Sequence, residues 1–172
     1  MRPLAKPLCA AALAAFTLGA GQAHAQPSPW SIPGEEAVKP YEVSPANAGA
    51  QPISDPRVLA AFHGRDGISR IVDAFVELSF TDPRIAPIFK PFDRVRLTRT
   101  LNEQLCYLLG GDCAHSGRHM ASAHRVMGVG HGDMNALAES LQTAMDREGG
   151  LFAMRNRLLP RLDQNIPDIV AK

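Results

Sequence analysis

The stretch LCYLLGGDCAHSGRHMASAHRVMGV, residues 105–129, decides how the chain is read. An apolar helical segment ends at Gly110-Gly111. A short polar loop follows, and a second segment carries His119, Met120 and His124. Three histidines, two cysteines (Cys106, Cys113) and two methionines (Met120, Met127) fall within its 25 residues, more soft donors than anywhere else in the sequence. Any chemistry the protein does is therefore sought here first, with His124 as the residue to weigh.

Upstream, Arg94 to Leu109 is the clearest helix. Leu97, Leu101, Leu105 and Leu108 form one stripe, with Arg94, Arg96, Arg99 and Glu103 on a polar side. Gly110 is placed to end it in a left-handed conformation. Before it, Ile68, Ile71, Val72, Phe75 and Val76 recur at spacings of three and four and stop at Thr81-Asp82-Pro83, where proline disfavours helix for the preceding residue. Asp55-Pro56 is a helix start, with Asp as cap and Pro at the first position, opening a short helix to about Phe62. Downstream, Met134, Leu137, Leu141 and Met145 mark a helix over Asp133 to Arg147. Another runs from Leu151 to Ile166 and is interrupted by Pro160. No alternating strand pattern stands out, so the domain is read as all-α.

The chain has 172 residues, 6% of them aromatic, and a net charge of +1. That length suffices for one domain with a real core. The charge balance argues against nucleic-acid binding, which calls for a marked basic excess. Residues 1–25 read as a cleavable signal peptide: Arg2 and Lys6, an apolar run from Leu8 to Ala20, then Ala23-His24-Ala25. The run is too short to span a bilayer. Without Arg2 and Lys6, sixteen basic residues face seventeen acidic ones. The expected product is an exported, periplasmic or secreted protein with no membrane span. Residues 26–54, rich in Pro, Gly, Ala and Ser, read as a flexible linker, and 55–172 as the folded domain.

The residues alone leave the chemistry open. A neutral imidazole is a common metal ligand, and one suffices as the axial ligand of haem iron. Small residues flank His124 and would let a flat macrocycle approach. The plainer alternative is a histidine packed against apolar neighbours. Zinc held by Cys113, His115 and His119 suits the donor types, although no C-x2-C or H-E-x-x-H spacing supports it. Cys106 and Cys113 can form a disulfide after export or remain thiols. A helical interaction module without haem is a further class. No C-x-x-C-H, phosphate loop or carboxylate pair is present to support covalent haem attachment, nucleotide binding or hydrolysis.

The order of these pieces resembles the group I truncated haemoglobins, the two-over-two helical globins, over roughly Leu59 to Val170. The landmarks are Phe62-His63-Gly64, Phe75, Thr81-Asp82-Pro83-Arg84, Phe89, Leu97 to Leu109 with Gly110-Gly111, Gly117-Arg118, Ala123-His124 and Met127-Gly128-Val129. The resemblance implies a truncated globin-like helical sandwich with haem b in its core. It makes His124 the iron ligand. Phe89 then wedges against the haem, Val76, Leu97 and Leu101 look over the gas-binding side, Met120 packs the macrocycle, and Arg118 meets a propionate. It implies a diatomic ligand (O2, NO or CO) and admits NO dioxygenase or peroxidase-like turnover with an unidentified reductase. Many members of that group have Tyr at the position of Val76 and Gln at that of Leu101, both hydrogen-bond donors to a bound gas. Here both are aliphatic. His63 stands where the group commonly has Gly.

Overall fold

The computed structural model describes residues 30–149 and 152–170. The expected signal peptide, residues 1–25, lies outside them. Among the described residues eight α-helices follow one another: α1 (Pro56–Ala61), α2 (Gly64–Thr81), α3 (Ala86–Phe89), α4 (Arg94–Leu108), α5 (Met120–His124), α6 (His131–Arg147), α7 (Phe152–Asp163) and α8 (Ile166–Ile169). No strand occurs among the described residues, so the all-α expectation holds.

α2 organises the core. It packs against α4 on one side and α6 on the other, while α5 packs on α8. The stripe predicted for it is buried as a unit: Ile68, Ile71, Val72, Phe75 and Val76 join Leu105, Leu108, Leu141, Met145 and Leu158 in one apolar cluster. Burial of such side chains contributes about 1.5–3 kcal/mol each. α1 starts as read, with the Asp55 carboxylate accepting the Arg57 N–H at 3.1 Å. α6 begins at His131, ahead of the predicted Asp133, and Asp133 accepts the Gly130 N–H at 2.8 Å. The predicted last helix is divided. α7 runs through Pro160 to Asp163, and a separate turn, α8, carries the chain on from Ile166.

His63 adopts a left-handed conformation, φ 57° and ψ 33°, at the corner between α1 and α2. This is the backbone state for which glycine is suited, so the departure noted at this position carries a conformational cost.

The end of α4 explains the Gly110-Gly111 pair. Gly110 has φ 80°; its N–H donates to Tyr107 at 3.0 Å, and the Gly111 N–H donates to Cys106 at 2.8 Å. These two bonds form a Schellman cap, which calls for a residue in the left-handed region. Gly111 is needed for a different reason. A Cβ there would lie 2.6 Å from the Cys106 sulfur, which forms a disulfide with Cys113 across a Cα separation of 5.9 Å.

The linker expectation is not met for residues 30–54. They form a strap laid over the outer face of α4 and the loop that follows it. The strap has one 3-10 turn, Pro45–Ala48, with Asn47 and Ala48 buried. Gln104 donates to the Ala48 carbonyl at 3.0 Å, and the Ile53 N–H donates to Leu108 at 2.8 Å. Proline-rich composition indicates a lack of regular structure, but it does not prevent packing through isolated anchors.

Candidate functional site

α5 is short and begins at the buried Met120. His124, at its end, is half-buried, and its Nδ1 lies 2.9 Å from the Met120 carbonyl oxygen. A carbonyl can only accept, so this bond places the ring proton on Nδ1 and leaves the Nε2 lone pair available. Burial pushes the His124 pKa below its ordinary value, partly offset by the bond to Met120. Burial thus suits a neutral imidazole, and the bond to Met120 sets which nitrogen is free to coordinate.

The residues expected on the opposite side fall into two sets. Val76 is fully enclosed in the core, and Leu97 and Leu101 pack against that core while remaining only partly buried. Phe89, at the end of α3, is partly buried and tilted against Phe80, ring centroids 6.0 Å apart. Leu97 and Leu101 therefore keep apolar surface that protein atoms do not cover. Polar residues nearby on α4 are committed elsewhere. The Asn102 amide donates to Thr98 at 3.0 Å and Gln104 to Ala48. Thr98 and Asn102 line a groove with Ile32 of the strap, on the outer side of the helix.

Arg118 is taken up by the strap. It donates to the Lys39 carbonyl at 2.7 Å and stacks over Tyr41 at 4.5 Å. The side chain expected to meet a propionate is thus engaged with the strap. The zinc alternative loses its thiolate, because the Cys113 sulfur is bonded to Cys106. Among the described residues, no three His, Cys, Asp or Glu side chains come together as a metal-binding group.

His115 is not the surface histidine its loop position suggests. It is only 4% exposed, and neither ring nitrogen has a hydrogen-bond partner among the described residues. Desolvation pushes its pKa down; the nearby Glu103 carboxylate and the backbone of Thr100 pull the other way. At 100° per residue, Arg99 and Glu103 lie on the side of α4 opposite Leu97 and Leu101. His115 is therefore directed away from the leucine face.

Sequence reasoning missed a buried ionic cluster on that outer side. The Glu35 side chain has no solvent exposure and pairs with Arg99, which is itself 9% exposed. Arg99 also donates to Glu103 at 2.7 Å and to the Ser116 hydroxyl. Glu103 accepts the Ser116 N–H at 2.8 Å. The helical spacing of Arg99 and Glu103 was the available signal for half of it. Nothing local ties Glu35 to them.

The comparisons agree with this architecture. The family model for bacterial-like globins matches residues 59–165. A group 1 truncated haemoglobin from Tetrahymena pyriformis is 25% identical over 109 residues, covering 63% of this chain and 90% of the relative. Its crystal structure in the Fe(III) form superposes with a TM-score of 0.64 at 23% identity, covering 67% of this chain and 98% of that one. The chain belongs to the bacterial-like globins, and its fold is that of a truncated haemoglobin. Haem-based binding of small gases is the class of function that this membership brings.

Proposed function

We propose that this protein is an exported globin that holds haem b without a covalent bond and binds a diatomic gas, O2, NO or CO. The observation carrying this is His124, whose Nδ1 is tied to the Met120 carbonyl at 2.9 Å while Nε2 keeps its lone pair. His124 would be the iron ligand. Leu97, Leu101 and Phe89 would supply apolar contacts, Val76 the wall behind them, and Met120 packing near the ligand histidine. The bound group would bring reversible affinity for small gases. The chain brings orientation of one imidazole and exclusion of water by aliphatic side chains.

The gas-binding side offers no donor at Val76, Leu97 or Leu101, so the reading is of a site that binds oxygen weakly. With no side-chain acid among those three residues, gas binding is favoured over peroxide turnover. Export is supported by the Cys106–Cys113 disulfide, a bond that persists in oxidising compartments.

The test is the metal and haem content of the purified protein. About one haem iron per chain and no zinc is expected. Stoichiometric zinc without iron, or failure to take up added haem, would overturn the reading.

A further inference from the structure

The strap lies outside the span matched to the globin family, residues 59–165, yet it reaches the segment that leads to His124. Three of its hydrogen bonds fall on consecutive residues of that segment. The Tyr41 hydroxyl donates to the Ser116 carbonyl at 2.9 Å, Asn47 donates to the Gly117 carbonyl at 3.0 Å, and Lys39 accepts from Arg118 at 2.7 Å. From the other side, Glu103 accepts both the Ser116 N–H at 2.8 Å and its hydroxyl at 2.6 Å. Arg99 joins the two sides, bonding Glu35 of the strap, Glu103 of α4 and Ser116 of the loop. Below them the His115 ring packs so closely on Gly117 that a Cβ there would lie 2.5 Å from it. α5 begins at Met120, shortly after this gripped segment, and the Met120 carbonyl sets the His124 ring.

We propose that Glu35 and Arg99 are positioning residues for His124: strap and α4 hold residues 116–118 between them and so fix the start of α5 and the direction of His124 Nε2. This rests on His124 being the iron ligand. A planar guanidinium suits the task because its five donors can serve a carboxylate, a second carboxylate and a hydroxyl from one rigid plane. The strap is then a built part of the haem site, although none of its residues touches the iron. Removing the Glu35 charge leaves Arg99 buried with less compensation, so the cluster rearranges and the loop loosens. Outer groups that orient a metal-ligating histidine commonly change metal affinity about 10–100-fold when altered.

The experiment uses the full chain loaded with haem and compares wild type, Glu35→Gln and Glu35→Asp. Two quantities are read: the rate of ferric haem transfer to excess apomyoglobin, and the iron–histidine stretching band of the ferrous, gas-free protein. Glu35→Gln is expected to lose haem about tenfold faster, with a shifted and broadened band, and Glu35→Asp to recover most of both. Haem loss within about twofold of wild type together with an unchanged band overturns the proposal. Should Glu35→Gln not fold, Tyr41→Phe combined with Asn47→Ala loosens the same loop without stranding a charge. The same shift is then required, and its absence is equally fatal. If wild type binds haem through His124 and these variants change nothing, only the positioning proposal fails. If His124→Ala leaves the wild-type spectrum intact, the iron-ligand reading fails and takes this one with it.

Discussion

The Nδ1 of His124 is 2.9 Å from the carbonyl oxygen of Met120, one helical turn earlier in α5. That bond makes the backbone itself the orienting partner of the ring. It fixes the tautomer without help from a carboxylate, so the imidazole stays neutral and an ordinary donor. In the proposed reading the gas-binding side is aliphatic at Val76, Leu97 and Leu101, and the contrast between that side and a defined histidine generates the first prediction.

Replacing Leu101 with Gln restores a donor on the α4 face that keeps uncovered apolar surface. One hydrogen bond to a partially charged ligand contributes about 1.5–3 kcal/mol, so oxygen release should slow by about ten- to a hundredfold. Stopped-flow displacement of oxygen measures it. A wild-type off-rate already as slow as that of the variant would contradict the apolar-site argument.

Acid should weaken the haem-free chain before its carboxylates titrate. Burial lowers the pKa of both His115 and His124 from the ordinary 6.5. The unfolded chain therefore binds more protons than the folded one just below that value. Stability is full above pH 6.5 and is lost as pH falls from there through the depressed folded values, at no more than about 1.4 kcal/mol per pH unit for each histidine. Urea unfolding between pH 7.5 and 5 should show this slope, and His115→Leu should reduce it. Stability that rises on acidification over that window would contradict the assignment.

The Cys106–Cys113 bridge closes a short loop at the end of α4. Its reduction should lower unfolding stability by about 2–3 kcal/mol on the chain-entropy scale. Denaturant midpoints with and without reductant give the difference. Two titratable thiols in the protein as purified under oxidising conditions would contradict the bridge.

His63→Gly should stabilise the fold. The left-handed state at φ 57° costs a non-glycine residue about 1–2 kcal/mol, and glycine returns about 0.4–1 of this through a freer unfolded chain. A net gain of about 0.5–1 kcal/mol is expected from thermal unfolding, while a loss would show that the His63 side chain has a compensating contact.

The helical core was legible because periodicity and caps are local. The α2 and α4 stripes, the Asp55-Pro56 start and the Gly110 stop each follow from neighbours in sequence. The order of those pieces then pointed to His124. What stayed hidden depends on distant partners. The strap has no period, and nothing near Glu35 in sequence points to its partner Arg99 across the fold. His115 sits in a polar loop, and its burial comes from how that loop packs on α4, not from its neighbours in sequence. The density of donors in residues 105–129 suggested a metal cluster. Pairing of the two cysteines and burial of His115 separate those donors into different tasks.

The most direct measurement is the visible absorption spectrum of purified wild type beside His124→Ala, each reconstituted with haem and then given free imidazole. The account predicts an intense haem band in wild type, its loss or marked shift in His124→Ala, and partial recovery when imidazole occupies the vacated position. An identical spectrum in both proteins would contradict it.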